Sequence, residues 1–139
     1  MAEDNEKRAQ ELYTQFQAMD QHIKQLQKQL EAVTGQMMEL NASSYSLDEF
    51  RKISPGRELL VPLSSGIFAK ASIKDTSELL VNVGANVVVQ KDVDSAKRLI
   101  QSQIEEIKKI QKQLVGELEK MMGHAAQIEM QLQSLISKG

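Results

Sequence analysis

The stretch LYTQFQAMDQHIKQLQKQLEAVTGQMMELNASSYSL, Leu12 to Leu47, decides the fold. Its apolar side chains fall at Leu12, Phe16, Met19, Ile23, Leu26, Leu30, Val33, Met37 and Leu40, in gaps that alternate four and three without a fault. The run then reaches Leu47 with Ser44 filling one slot. Alternating fours and threes are the heptad of a coiled coil, because a 3.5-residue repeat keeps one narrow seam facing a partner helix. A globular helix would carry a wider apolar face, and a strand would alternate with period two. The seam demands a partner.

A second seam near the other end supplies it. Val93, Ala96, Ile100, Ile104, Ile107, Ile110, Leu114, Leu118, Met121, Ala125, Ile128, Leu132 and Leu135 keep heptads at both ends. Between Ile110 and Leu118 two gaps of four follow one another, which predicts a local unwinding beside Gly116. The first helix starts between Glu3 and Arg8 and runs to about Lys52, where Ser54-Pro55-Gly56 stops it. Roughly 45 residues make a rod about 70 Å long. Gly35 weakens it near the middle by about 1 kcal/mol relative to Ala. The second helix opens after Lys91, with Asp92 or Asp94 as cap, and ends at Ser137.

Folding the two rods back on one another as an antiparallel pair makes facing residue numbers sum to about 144. Phe16 then meets Ile128, Ile23 meets Met121, Leu30 meets Leu114 and Met37 meets Ile107, all apolar. Two seams placed independently agree in register. Val33/Gln111 and Ser44/Ile100 are the weak layers.

Between the arms the period changes. Glu58 to Leu63 is apolar and β-leaning, Ser64-Ser65-Gly66 is a turn, and Ile67 to Ile73 alternates, with Ile67, Ala69, Ala71 and Ile73 on one face. Leu79 to Val83 and Asn86 to Gln90 form two further strands around Gly84-Ala85. Pro62 cannot donate to a ladder and belongs at an edge. The fold class is therefore α+β: a long antiparallel two-helix coiled coil with two β-hairpins, four short strands, inserted at its base. The segments are 1–53 for the first helix, 54–90 for the hairpins and oligomerisation, and 91–139 for the second helix. Such hairpins cannot close a barrel alone, so their open edges call for other chains. Candidate oligomerisation residues are Leu59, Val61, Leu63, Ile67, Phe68, Ile73, Leu80, Val81, Val83, Val87 and Val89. Tyr45 and Leu99 are expected to pack against the strands.

Composition narrows the function. Aromatic residues are 4% of the chain and Trp is absent, too little for a dense globular core. The net charge of −2 is nearly balanced and no segment is strongly basic, so no basic field exists to neutralise phosphates, and nucleic acid is not expected as a partner. Without cysteine there is no disulfide, thiol nucleophile or thiolate metal site. The acidic start Met-Ala-Glu-Asp-Asn is no secretory signal, and no apolar run of about 18 residues marks a membrane span. A soluble intracellular protein is expected, with no membrane partner. His22 and His124 sum to 146, close enough to the register to face one another across the coil, but two imidazoles without a third ligand make a poor zinc site, and solvated flank histidines are the plainer account. Gly84-Ala85-Asn86 lacks the pattern of a phosphate loop, and Ser64-Ser65 has no His-Asp partners. No catalytic constellation and no cofactor is expected, and an enzyme is not.

The end of the coil remote from the strands offers a surface instead. Tyr13, Met122, Met130 and Ile136 add apolar area off the seam, beside Leu12, Phe16, Met19, Ile128, Leu132 and Leu135 on it. Methionine thioethers adapt to many shapes, which suits a promiscuous apolar grip. Scattered exposed apolar residues are also ordinary, which is the plainer account of the same pattern.

The layout and three local motifs resemble the alpha subunits of the archaeal-type prefoldin family. The motifs are Glu58-Leu59-Leu60-Val61-Pro62-Leu63-Ser64-Ser65-Gly66-Ile67-Phe68-Ala69-Lys70-Ala71, Lys74-Asp75-Thr76, and Val81-Asn82-Val83-Gly84-Ala85-Asn86-Val87. Ser64-Ser65 stands where relatives often carry glycines. The resemblance implies an ATP-independent holdase of the cytoplasm. Two alpha and four beta subunits would join their hairpins into inter-subunit β-barrels, hold unfolded clients at the coil tips, and pass them to a group II chaperonin. A coiled-coil scaffold with one fixed partner, or a filament of alpha-type chains, are the competing readings.

Overall fold

The computed structural model describes residues 2–138. Helix α1 spans Ala2–Arg51, strands β1 to β4 span Glu58–Ser64, Ile67–Ser72, Leu79–Asn82 and Val88–Lys91, and helix α2 spans Val93–Lys138. The chain divides into two compact units. Unit 1 holds 1–36 and 107–139, and unit 2 holds 37–106. Each unit therefore contains one part of each helix, with the two parts running in opposite directions.

In unit 1 the coil is sealed by Leu12, Leu26 and Ile128, all buried. Phe16, Met19, Ile23, Leu30 and Val33 are half-buried between them, and most residues off the seam are exposed. In large side chains such burial is worth about 1.5–3 kcal/mol each before ordering costs. Helix propensity alone would not hold segments of this length, so the seam does.

The structure moves one layer of the expected seam. Ile110 is 47% exposed and lies off it. Gln111 is half-buried in its place, and its Nε2 donates to Thr34 Oγ1 at 3.3 Å. With Gln111 included, Ile107, Gln111, Leu114, Leu118, Met121, Ala125 and Ile128 step by fours and threes throughout. The expected unwinding at Ile110 to Leu118 is thereby removed. The reason is geometric: an unbroken 3.5-residue repeat keeps every neighbouring layer packed, and a glutamine can fill one layer if its amide finds a partner.

In unit 2, Val93, Ala96 and Ile104 are buried, and charged pairs fix the two helix segments beside the strands. Lys97 Nζ donates to Asp48 Oδ1 at 2.6 Å, and the Arg51 guanidinium pairs with Asp94. These pairs lie one residue from the register read off the seams. Asp92 caps α2: its Oδ1 accepts from the Ser95 N–H at 2.7 Å and its carbonyl from the Ala96 N–H at 3.0 Å. Asp94, the other candidate cap, is occupied by Arg51.

The segment after α1 turns at Ser54-Pro55-Gly56-Arg57. The Arg57 N–H reaches the Ser54 carbonyl at 3.2 Å, and Gly56 takes a φ of 86°, the type II arrangement that needs glycine third. Strands β1 and β2 pair antiparallel from Glu58↔Ser72 to Pro62↔Phe68, and the register shifts between Pro62 and Ser64. Pro62 thus sits next to a bulge at an open edge, where its missing donor does least harm. Strands β3 and β4 pair from Leu79↔Lys91 to Asn82↔Val88 as a separate sheet.

Strand β1 runs one residue past Leu63, whereas β2, β3 and β4 are shorter than the sequence implies. Ile73 lies beyond β2, half-buried, and its carbonyl accepts from the Gly56 N–H at 2.8 Å. Val83 and Val87 bound a turn rather than lie in strands: the Val83 N–H reaches the Val87 carbonyl, and the Val87 N–H the Gly84 carbonyl, each at 2.9 Å. Gly84, Ala85 and Asn86 take φ of 115°, 50° and 61°, a run no extended strand can accommodate. The Asn82 side chain supports the turn by accepting from the Gly84 N–H at 2.9 Å.

Two outcomes are expected. Leu26→Ala should cost about 2–4 kcal/mol in denaturant unfolding, whereas Ile110→Ala should stay within about 0.5 kcal/mol; equal losses would return Ile110 to the seam. The second concerns acid. Hydrogen bonding from Lys97 lowers the Asp48 carboxyl, and hydrogen bonding from Ser95 lowers that of Asp92. A carboxyl depressed in the folded state contributes stability above its unfolded pKa, near 4, and loses it as pH falls through the folded value. Melting midpoints measured across that window should fall less steeply for Asp48→Asn and Asp92→Asn than for the unaltered chain.

Candidate functional site

Two apolar surfaces stand out, one on each unit. In unit 1, near the chain ends, the heptad places Tyr13 one residue after buried Leu12, so its ring points away from the seam. On α2, Met122, Met130 and Ile136 are likewise one or two residues from seam positions and face outward. Tyr13 is 56% exposed, Met122 52%, Met130 70% and Ile136 74%, which makes these four the uncovered members of the expected grip. Phe16, Met19, Leu132 and Leu135 are half-buried. Leu12 and Ile128 are buried and close the coil beneath. The ten expected residues thus separate into an outer set and a supporting seam.

In unit 2 the two hairpins differ. In β3–β4, Leu79, Val81, Val89 and Lys91 are half-buried, and the register pairs them as Leu79↔Lys91 and Val81↔Val89 on one face. The opposite face leaves Leu80 and Val88 exposed. In β1–β2 the exposure is two-sided: Leu60, Val61, Leu63, Ile67 and Phe68 are all open, and only Leu59 and Ala69 are half-buried. A lone hairpin bare on both faces is marginal in water.

Leu99, expected to pack against the strands, is half-buried and lines a cleft of about 570 Å³ with Leu79, Leu80, Val81 and Asn82 of β3. Tyr45 does not pack there. It is 67% exposed, because it falls one residue past the Ser44 seam position and turns to solvent. The cleft itself was not foreseen from the sequence. Its signal was there in the small residues Ala42, Ser43 and Ser46 opposite Ala96, which leave room where larger side chains would have filled it.

Asp75, held low by hydrogen bonds from Ser77, closes a local turn in which Ser77 N–H and Oγ reach its two carboxylate oxygens at 2.9 and 2.6 Å. Among the described residues no helix is long and apolar enough to cross a membrane.

Comparison with known proteins bears on the family. The sequence pattern of the family described as "Prefoldin subunit" matches residues 19–138. A prefoldin subunit alpha of Methanococcus vannielii is 32% identical, over 89% of this chain and 92% of its own length. That of Thermofilum pendens is 27% identical, over 93% and 97%. In three dimensions the chain resembles a subunit in the cryo-EM structure of filamentous prefoldin from Methanocaldococcus jannaschii, with a TM-score of 0.59 and 18% identity over 94% of this chain and 99% of that one. Paired long helices, two hairpins between them and a match across most of the length lead to one assignment: the chain belongs to the prefoldin family of chaperones, as a subunit of the alpha type.

Proposed function

We propose that the chain is the alpha subunit of an ATP-independent holdase that binds non-native polypeptides through the outer apolar residues of unit 1. The observation carrying this reading is the exposure of Tyr13, Met122, Met130 and Ile136 around the end of one coil. Each large side chain covered by a client contributes about 1.5–3 kcal/mol, and ordering the client removes much of that. A single chain therefore binds weakly, and useful affinity comes from several coils engaging one client at once. Thioethers and a tyrosine ring fit many sequences with little loss, which matches a grip that does not read sequence. Leu12, Phe16, Met19, Ile128, Leu132 and Leu135 hold that end helical beneath the grip.

Several coils require assembly, and the hairpins supply the surface for it. Leu60, Val61, Leu63, Ile67, Phe68, Leu80 and Val88 become covered when neighbouring subunits add strands to the open edges, with beta subunits in a hexamer of two alpha and four beta chains. Closure of β-barrels between subunits, release of clients to a group II chaperonin, and residence in the cytoplasm belong to the same reading. The hairpin-bearing segment 54–90 is then the oligomerisation element, and 1–53 and 91–139 are the arms of the coil. The second reading is a filament of alpha-type chains, the state named for the Methanocaldococcus jannaschii neighbour. Sedimentation of the isolated chain separates the two: an open-ended size distribution favours the filament, and a small species that becomes a hexamer with beta subunits favours the first.

Changing Tyr13, Met122, Met130 and Ile136 together to Ser should weaken suppression of client aggregation several-fold, with the sedimentation coefficient of the assembly unchanged. Undiminished suppression would sink the grip. Removing 59–89 should leave monomeric or dimeric coils by the same measurement, and a surviving hexamer would refute assembly through the hairpins.

A further inference from the structure

Both histidines of the chain, His22 and His124, line a single cleft of about 470 Å³ in unit 1. The rest of its lining is Met19, Glu117, Lys120 and Met121. Each helix contributes a Met-x-x-His run, Met19 with His22 on α1 and Met121 with His124 on α2. Residues three apart share one face of a helix, so both runs present a thioether and an imidazole to the same space. Because the helices are antiparallel in this unit, the two runs meet head to tail. The sulfur-bearing residues are half-buried on the seam, and the histidines are exposed at the rim.

We propose that this cleft is a binding site for a soft monovalent metal ion, cuprous copper, with the thioethers of Met19 and Met121 and the imidazoles of His22 and His124 as its donors. The donor chemistry selects the ion. No group of three among His, Cys, Asp and Glu stands close enough to share a metal among the described residues, so a zinc site of the usual kind has too few ligands. Only the two thioethers can bring the imidazole pair to four donors. Thioether sulfur is a soft, neutral ligand that suits Cu(I) and is poor for Mg, Ca and Zn, while imidazole serves copper equally well. Neutral ligands leave the ion's own charge uncompensated, and Glu117 and Lys120 offset one another in the lining. A single positive charge is tolerated there better than a double one.

The test is an anaerobic titration of the full-length chain with cuprous ion against a colorimetric Cu(I) chelator, repeated with zinc. One cuprous ion per chain is expected, bound more tightly than zinc. Met19→Leu with Met121→Leu keeps seam volume and should weaken binding about tenfold or more, since half the donors are gone. His22→Gln with His124→Gln changes exposed residues only, keeps the far-ultraviolet helix signal, and should weaken binding comparably. With silver ion as a redox-inert probe, the methyl resonances of Met19 and Met121 should shift and those of Met38, Met122 and Met130 should not. Unchanged affinity in either double variant, zinc binding tighter than cuprous, or shifts at the other methionines would each overturn the site.

Discussion

Every other feature of this chain depends on one constraint, the 3.5-residue repeat that keeps two helices covering one another. With only 4% aromatic residues there is no alternative core to fall back on, and the deepest burial is spread over single residues such as Leu12, Leu26, Ile104 and Ile128. The strength of the constraint is visible at Gln111. A polar side chain occupies a seam layer and an isoleucine beside it is left in water, because shifting to bury Ile110 would break the phase of the layers on either side. The hydrogen bond to Thr34 satisfies the amide and ties the two helices in one register, since a slip of one residue would leave both groups unpaired.

What the repeat cannot do is finish the strands. A hairpin with one face half-covered, as in β3–β4, has a floor to rest on, whereas β1–β2 has almost none. Its residues are as apolar as a core and as exposed as a surface. That combination is stable in folded proteins when another chain completes the packing. The charged pairs Asp48–Lys97 and Arg51–Asp94 act at the same place, setting where the helices end and the strands begin. They contribute geometry more than energy, as exposed pairs generally do.

Much of this was legible in the sequence, and the misreadings have physical causes. The heptads of α1 were plain because every seam residue but Ser44 is apolar; the seam of α2 misled at one step because hydrophobicity was the only signal available, and Gln111 carries none. The four strands were recognisable from their β-branched content, but their ends were not. Val83 and Val87 look like strand residues, and only the left-handed backbone at Gly84, Ala85 and Asn86 removes them. Tyr45 shows a third limit: an aromatic residue near a seam invites packing, yet a displacement of one position on a helix rotates it out to water. Exposure of the outer residues of unit 1 followed from periodicity alone, whereas what touches them does not follow from any pattern within one chain.

The two-sided bareness of β1–β2 carries a thermodynamic consequence. A segment with little burial of its own is folded to the extent that something binds it, so its order is linked by mass action to the concentration of its neighbours. A chain made in excess of its partners would hold its coil while this hairpin samples open states, exposing Leu60, Leu63 and Phe68 to proteases and to illegitimate strand pairing. Balance between subunits would then be enforced by the chain itself, with unassembled copies the first to be removed.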